Sequence, residues 1–215
     1  MNNPSTHDAL ISNNTLKLPG PGYLAAKRLM DIVISLLGMI VIIPIVLATA
    51  LAIKLCDNGP IFYTQKRLTK DGKVFLIYKF RSMQVNSESD GIARLASLHD
   101  DRITPVGRVI RAYRIDELPQ LFNVLTGDMS MVGPRPERPE IAVQYEKNLP
   151  EFALRLKVKA GLTGLAQVYG RYDTEPAIKL KMDLMYINRM SLTEDLRLIL
   201  MTPRIFFNKE SSSGI

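Results

Sequence analysis

Residues 32–53, "IVISLLGMIVIIPIVLATALAI", carry no charged side chain, and nothing else in the chain limits its fold so tightly. A run of that length meets the requirement for a membrane-crossing helix, roughly 20 apolar residues. Two features count against an ordinary span. Pro44 lies inside the run, where its ring and missing N–H kink or break a helix. The arm from Ile32 to Ile43 would extend roughly 18 Å, short of a hydrocarbon core roughly 30 Å thick. The second feature is charge. Lys27 and Arg28 precede the run, and Lys54, Lys66, Arg67, Lys70 and Lys73 follow it. Basic flanks mark the cytoplasmic side, and here both flanks are basic. A helix that enters, breaks near Pro44 and returns to the same face satisfies both features. The expectation is a re-entrant anchor over residues 23–58, with Asp31 at the interface close to Lys27 and Arg28 at helical spacing. A kinked single-pass helix is the alternative. A cleaved signal peptide fits poorly, because the apolar stretch is too long and starts too far into the chain.

Before the anchor, residues 1–22 are rich in Asn, Ser, Thr, Pro and Gly and read as a tail with little to bury. Residues 59–215 read as one cytoplasmic catalytic domain. "IFYTQKRLTKDGKVFLIYKFRSM" suggests two strands around an Asp71-Gly72 turn. Asn86 to Gly91 read as a polar loop, and a helical pattern runs through "TPVGRVIRAYRIDELPQLFNVLTG" with Thr126-Gly127 as its stop. "DMSMVGPRPERPE" reads as a proline-punctuated loop and "AGLTGLAQVYGR" as a glycine-rich connection. "YEKNLPEFALRLKV", "EPAIKLKMDLMYINRM" and "SLTEDLRLILMTPRIFF" read as helices. The last, with Arg197, Arg204 and Lys209 along an apolar body, suits either a membrane interface or ordinary core packing. The fold class expected is α+β: a mostly helical domain with a small β-hairpin or sheet, a re-entrant membrane helix and interfacial amphipathic helices.

Charge narrows the partners. The formal net charge is +7 and the pI near 9.5, which favours anionic lipid, nucleic acid or a phosphorylated substrate. Cys56 is the only cysteine, so no intrachain disulfide can form, and with His7 and His99 as the only histidines the composition argues against a structural zinc cluster. A metal would rest on carboxylates, which suits magnesium or manganese.

The stretch "RIDELPQLFNVL", Arg114 to Leu125, places Asp116 and Glu117 just after an arginine-rich segment. Arg108, Arg111 and Arg114 recur every third residue, on neighbouring parts of one helical face if the helix continues. The bland reading is a helix cap, for which Asp is favoured. The sharper reading is a phosphate held by arginine forks, with carboxylates that bind a metal, attack phosphorus, or do both. Arg135 sits between two prolines, a restricted backbone suited to bidentate phosphate capture. Lys79 and Arg81 flank Phe80 at a strand end and would share one face.

"KFRSM", "IDELPQLFNVLTGDMSMVGPRPE" and "AGLTGLAQVYGR", in this order after a Lys-Arg…Asp membrane segment, resemble the bacterial monotopic phosphoglycosyl transferases of the small, catalytic-core type. The resemblance runs from about Lys27 to the last helix. It implies transfer of a sugar 1-phosphate from a UDP-sugar to polyprenyl (undecaprenyl) phosphate, with release of UMP, at the cytoplasmic face of the inner membrane. It implies Asp116 as nucleophile through an aspartyl-phosphosugar, Glu117 as its dyad partner, and Mg2+ at the site on Asp116, with Mn2+ as the alternative ion. Arg111 and Arg135 match family arginines near the phosphates. Lys79, Arg81 and Arg171 match positions lining the site, and Lys27, Arg28, Asp31 and Pro44 match the anchor. The partners implied are the donor, the polyprenyl acceptor and anionic lipids, without nucleic acid; a homodimer is left open. Three positions depart from the family pattern: Ile43 where Ser often precedes the membrane proline, Lys159-Ala160 for the usual Arg-Pro, and Leu165 for a frequent Trp. A metal-dependent phosphohydrolase and a non-enzymatic module binding anionic lipid remain as alternatives.

Overall fold

The computed structural model describes residues 16–85, 87, 100–170 and 174–203. Helix α1, Pro21–Asp57, starts at a proline, where the missing N–H costs nothing, and ends at Asn58 in the left-handed region. At 37 residues it is about 56 Å long, and among the described residues it is the one helix long and apolar enough to cross a membrane. The break expected at Pro44 is not seen: helical conformation runs through the proline without an intervening loop.

One face of α1 rests on the rest of the chain along its length. Lys27, Asp31, Ser35, Thr49 and Ile53 are buried, at the three- and four-residue spacings that line up on a helix. Gly38 falls on the same face, and a Cβ there would meet the Leu121 methyl at 3.2 Å, so the missing side chain lets the two helices approach. The opposite face stays open, with Leu29, Val33, Leu36, Ile40, Leu47, Leu51 and Leu55 all exposed. That leaves an exposed apolar stripe on a helix whose other side belongs to the protein core.

Polar joints fasten both ends. Near the start, Lys27 Nζ donates to Asp195 Oδ2 at 2.9 Å, and that carboxylate also accepts from Tyr23 and Tyr186 hydroxyls at 2.6 Å each. Arg28 forks onto the Val124 and Leu125 carbonyls at 2.6 and 2.7 Å, a cation at a helix C-terminus. Asp31 accepts from the Ser130 hydroxyl at 3.1 Å and the Met131 N–H at 2.9 Å. Asp31 is therefore buried against a strand, at 2% exposure. At the far end Arg81 pairs with Asp57.

The hairpin forms as the Asp71-Gly72 turn implied. Strands β1, Phe62–Leu68, and β2, Val74–Phe80, pair antiparallel from Phe62↔Phe80 to Leu68↔Val74, and both turn residues have positive φ. The long helical pattern that follows is cut in two: α2 spans Pro105–Ala112 and α3 spans Gln120–Thr126, closed by Gly127 at φ 90°. Thr104 caps α2, accepting from the Gly107 N–H at 2.9 Å.

Two segments expected to be loops contain strands. β3, Ser130–Val132, pairs in parallel with β4, Gly161–Thr163, and a short helix α5, Leu165–Tyr169, follows. A Cβ on Gly133 or Gly161 would run into backbone across this pair, so glycine is needed for the close approach. Helix α4, Pro139–Asn148, leads into a 3₁₀ segment, Pro150–Lys157, then α6, Pro176–Asn188, and α7, Leu192–Met201, complete the described chain. The core gathers Phe75 and Ile77 of β2, Leu121 and Val124 of α3, Met129, Met131 and Val132 around β3, and Tyr186, Ile187 and Leu198. The fold is α+β. Helix α7 buries Asp195 and Leu198 while leaving Leu196 and Leu200 exposed, so it packs on the core along one face. Arg204 and Lys209, which were read with it, lie outside the described residues, as does the polar loop at 88–91.

Candidate active site

Asp116 and Glu117 lie in a 3₁₀ turn, Ile115–Glu117, between α2 and α3. The turn is entered through Arg114, whose φ of 51° places a non-glycine residue in the left-handed region. Such a backbone costs about 1 kcal/mol or more and concentrates at functional turns. It also ends the arginine stripe: Arg108 and Arg111 are on α2, but Arg114 has left the helix. The cap reading does not survive this geometry. The residue preceding α3 is Pro119, and neither carboxylate caps a helix.

The two acids are treated differently by their surroundings. Glu117 is held on every side: Lys79 Nζ, from the end of β2, donates to Oε1 at 3.3 Å, and the Arg135 fork reaches both oxygens, Oε2 at 3.3 Å and Oε1 in a closer contact. Burial alone would push its carboxyl up, but Arg135, Lys79 and Arg114 outweigh it and hold Glu117 well below the usual carboxylate range. Asp116 is buried beside it, and no hydrogen bond among the described residues reaches its carboxylate. Its carboxyl is pushed up, chiefly by burial and then by the Glu117 charge, against the pull of Lys79 and Arg111. Lys79 is in turn pushed down by burial, with Glu117 and Asp116 opposing. Four cationic side chains, Lys79, Arg111, Arg114 and Arg135, thus surround two carboxylates. Such a surround suits an anion with more than one charge, and a diphosphate matches it.

The segments that carry these groups are tied together by a residue that sequence reading did not single out. Asn123 of α3 is fully buried, accepts from the Tyr78 N–H at 3.0 Å and donates to the Leu76 carbonyl at 2.8 Å. It joins α3 to the edge of β2 next to Lys79, which fixes the distance from Lys79 to Glu117. A polar residue within the apolar run "LFNVL" was the available signal.

Arg81 is not with the others. The β2 strand ends at Phe80, the Arg81 N–H donates to the Ile61 carbonyl at 2.9 Å, and its guanidinium turns to Asp57. Alternation along an extended strand would have put Lys79 and Arg81 on one side, but the strand stops between them. Gly59 gives the room, since a Cβ there would lie 1.7 Å from Arg81 Nη1. Arg171 lies outside the described residues. Lys27, Arg28 and Asp31 are the joints of α1 already described.

Among the described residues no three of His, Cys, Asp and Glu converge as a cage for a metal ion. The donor set still fits a hard dication of one kind. Magnesium is commonly held by one or two carboxylates together with substrate phosphates and water. Among the described residues, Asp116 is the carboxylate of the pair that carries no ion pair of its own, whereas Glu117 is paired with Lys79 and Arg135.

A family model described as bacterial sugar transferase matches residues 22–209. The chain is 44% identical over 190 residues to a UDP-N-acetylgalactosamine-undecaprenyl-phosphate N-acetylgalactosaminephosphotransferase of Aeromonas hydrophila, covering 87% of this chain and 45% of that one. It is 43% identical over 191 residues to a UDP-glucose:undecaprenyl-phosphate glucose-1-phosphate transferase of Klebsiella pneumoniae, covering 86% and 41%. With a transferase of the same description from Caulobacter vibrioides it shares 44% over 181 residues, covering 82% and 67%. The chain thus spans less than half the length of the first two. Relatives at nearly equal identity are named for different sugars, so degree of identity does not name the sugar.

Proposed function

This chain belongs to the bacterial sugar transferase family, and from that membership we propose that it moves a sugar 1-phosphate from a UDP-sugar to polyprenyl phosphate, releasing UMP. The observation that carries the chemistry is the unequal treatment of the two acids. Glu117 is engaged by Arg135 and Lys79, so its charge is spent on positioning them. Asp116 accepts no side-chain hydrogen bond among the described residues, and burial leaves its carboxylate more basic, which suits a nucleophile.

In the first displacement an Asp116 oxygen attacks the phosphorus that bears the sugar. The bond from that phosphorus to the bridging oxygen breaks, and UMP departs with the electron pair. A phosphosugar remains on Asp116 as an acyl phosphate. In the second displacement an oxygen of polyprenyl phosphate attacks the same phosphorus, Asp116 leaves as carboxylate, and a polyprenyl diphosphate sugar is formed. Arg135, Lys79 and Arg111 bind the equatorial and leaving oxygens as charge moves onto them. Magnesium, held by Asp116 and the donor's phosphates, would supply further charge neutralisation there.

The anchor fits the same scheme. A single span would put the two ends of α1 on opposite membrane faces, yet one domain holds both, through Asp195 at the start and Arg81 at the end. We place both ends on the cytoplasmic face of the inner membrane, with the exposed apolar stripe in lipid and Lys54 and Lys70 near anionic headgroups. Cys56 is free and exposed at the far end of α1 and serves as one label. A second cysteine added at the amino terminus should react with an impermeant maleimide only from the cytoplasmic side, as Cys56 should. Labelling of the amino terminus from the periplasm would overturn the re-entrant arrangement.

The activity is tested with a membrane fraction, a panel of UDP-sugars and undecaprenyl phosphate. One sugar should release UMP in equal amount to a new lipid-linked diphosphate. Free sugar phosphate formed without dependence on lipid would identify a hydrolase instead, and no UMP from any donor would remove the enzymatic reading.

A further inference from the structure

Behind the Pro134-Arg135-Pro136 loop lies a buried ion pair that the displacement chemistry does not use. Arg155, in the 3₁₀ segment, and Asp183, on α6, are 4% and 1% exposed, and Arg155 Nη2 lies 2.8 Å from Asp183 Oδ2. The same nitrogen donates to the Arg135 backbone carbonyl at 2.8 Å. The Arg155 guanidinium also sits over the Phe152 ring, 4.7 Å from its centre. The guanidinium thus sits between the Asp183 charge and the Phe152 ring, from where it delivers a hydrogen bond to the loop.

The loop is tied to the domain on either side of Arg135: the Pro134 carbonyl accepts from the Gly161 N–H at 2.9 Å, the Pro136 carbonyl from Arg67 Nη1 at 3.0 Å and the Glu137 carbonyl from the Leu68 N–H at 2.9 Å. The Arg155 bond falls on the Arg135 carbonyl itself, beside a small cavity lined by Thr69, Pro134, Phe152 and Ala160. Burying a charged pair is also a poor way to gain stability, because an apolar pair of similar volume usually does as well or better. A buried pair whose cation reaches out to the backbone of a site residue has a second use.

We propose that Asp183 and Arg155 are positioning residues: Asp183 aims Arg155, and Arg155 pins the Arg135 carbonyl, so that the Arg135 fork meets Glu117 and the donor's phosphate at the right place. This rests on the phosphoryl-transfer reading of the site. The Asp183 carboxyl is pushed up to about 6 by burial, with Arg155 the largest of the charges that oppose the shift.

The test is a double-mutant cycle on kcat/KM in the full-length protein, in membranes, with UDP-sugar and undecaprenyl phosphate. The paired change Asp183→Leu with Arg155→Met removes the charge pair without leaving either member alone, so the melting temperature should stay close to wild type. Its kcat/KM should fall about tenfold or more, the scale of a misplaced phosphate-binding group. In an Arg135→Ala background the same two changes should cost less than about twofold, since the group they position is gone. A full tenfold loss in that background would overturn the proposal, and so would unchanged kcat/KM in the paired variant. If the paired variant does not fold, Asp183→Asn, which keeps the side chain's shape, carries the same cycle with the same two outcomes. An inactive wild type would count against the transferase reading itself, whereas additivity in an active enzyme counts against the positioning role alone.

Discussion

Asp116→Asn should abolish turnover while leaving the protein as stable as wild type, or slightly more so. The two halves of that expectation come from the same observation. The carboxyl is pushed up, chiefly by burial, so ionising it costs the folded state. For an acid raised on folding, the stability it contributes is complete below its unfolded pKa and is lost as pH rises through the folded one. At neutral pH wild type bears that cost, and the neutral amide, which resembles the protonated acid in shape, does not. Thermal melting at pH 7 should therefore give an equal or higher midpoint for the variant. Catalysis responds in the opposite direction, because an amide is a poor nucleophile and a poor ligand for a hard cation. Turnover should fall by roughly a thousandfold or more, as when a nucleophile is removed from an otherwise intact site. Wild-type protein given UDP-sugar and no lipid acceptor should release about one equivalent of UMP per site. Intact-protein mass spectrometry should then find a phosphosugar on wild type, mapped to Asp116, and none on the variant. Normal turnover by Asp116→Asn would mean that the chemistry is elsewhere.

What was legible in the sequence were features carried by neighbours along the chain. Asp71-Gly72 specified the hairpin because both turn residues must adopt positive φ, and they do. Pro176 marked the first turn of α6 for the same kind of local reason. The pairing of Asp116 and Glu117 with Lys79 and Arg135 could be suspected from residue type, but the different roles of the two acids could not. That difference depends on which carboxylate the Arg135 fork reaches from 18 positions away. The left-handed Arg114 was hidden too: periodicity of Arg108, Arg111 and Arg114 argued for one uninterrupted helix, and only tertiary context turned the chain at its third member. The anchor's protein contacts were hidden in the same way, because the partners of Lys27 and Asp31, Asp195 and Ser130, lie 168 and 99 positions away. The parallel pairing of β3 with β4 was missed because three-residue strands in glycine-rich segments leave no alternation to detect.

Glu117→Gln should fail differently from Asp116→Asn, and the contrast separates a positioning acid from a reacting one. Glu117 is held well below the usual carboxylate range because Arg135, Lys79 and Arg114 outweigh the effect of burial. For an acid depressed on folding, the contribution to stability is present above the unfolded pKa and is lost only as pH falls through the folded one. It is therefore in force throughout the neutral range, and the amide forfeits it. Arg135 is 38% exposed on its side chain, so water screens part of the pair, and the loss expected is about 2 kcal/mol rather than that of a fully buried bridge. The melting midpoint should drop, where that of Asp116→Asn does not. Activity should fall roughly a hundredfold, because the Arg135 fork and Lys79 lose the oxygen that aims them. A pH profile adds a signature that simple unfolding would not give. Lys79 is already pushed down by burial, and Glu117 is the largest of the charges that hold it up. Without Glu117 it should lose its proton at a lower pH, and a neutral amine binds phosphate poorly. The alkaline limb of kcat/KM should therefore move to lower pH in Glu117→Gln relative to wild type. A variant with an unshifted limb and an undiminished melting midpoint would show that Lys79 does not depend on Glu117. The pair would then have to be read as two acids of equivalent standing, against the division of labour drawn from their contacts.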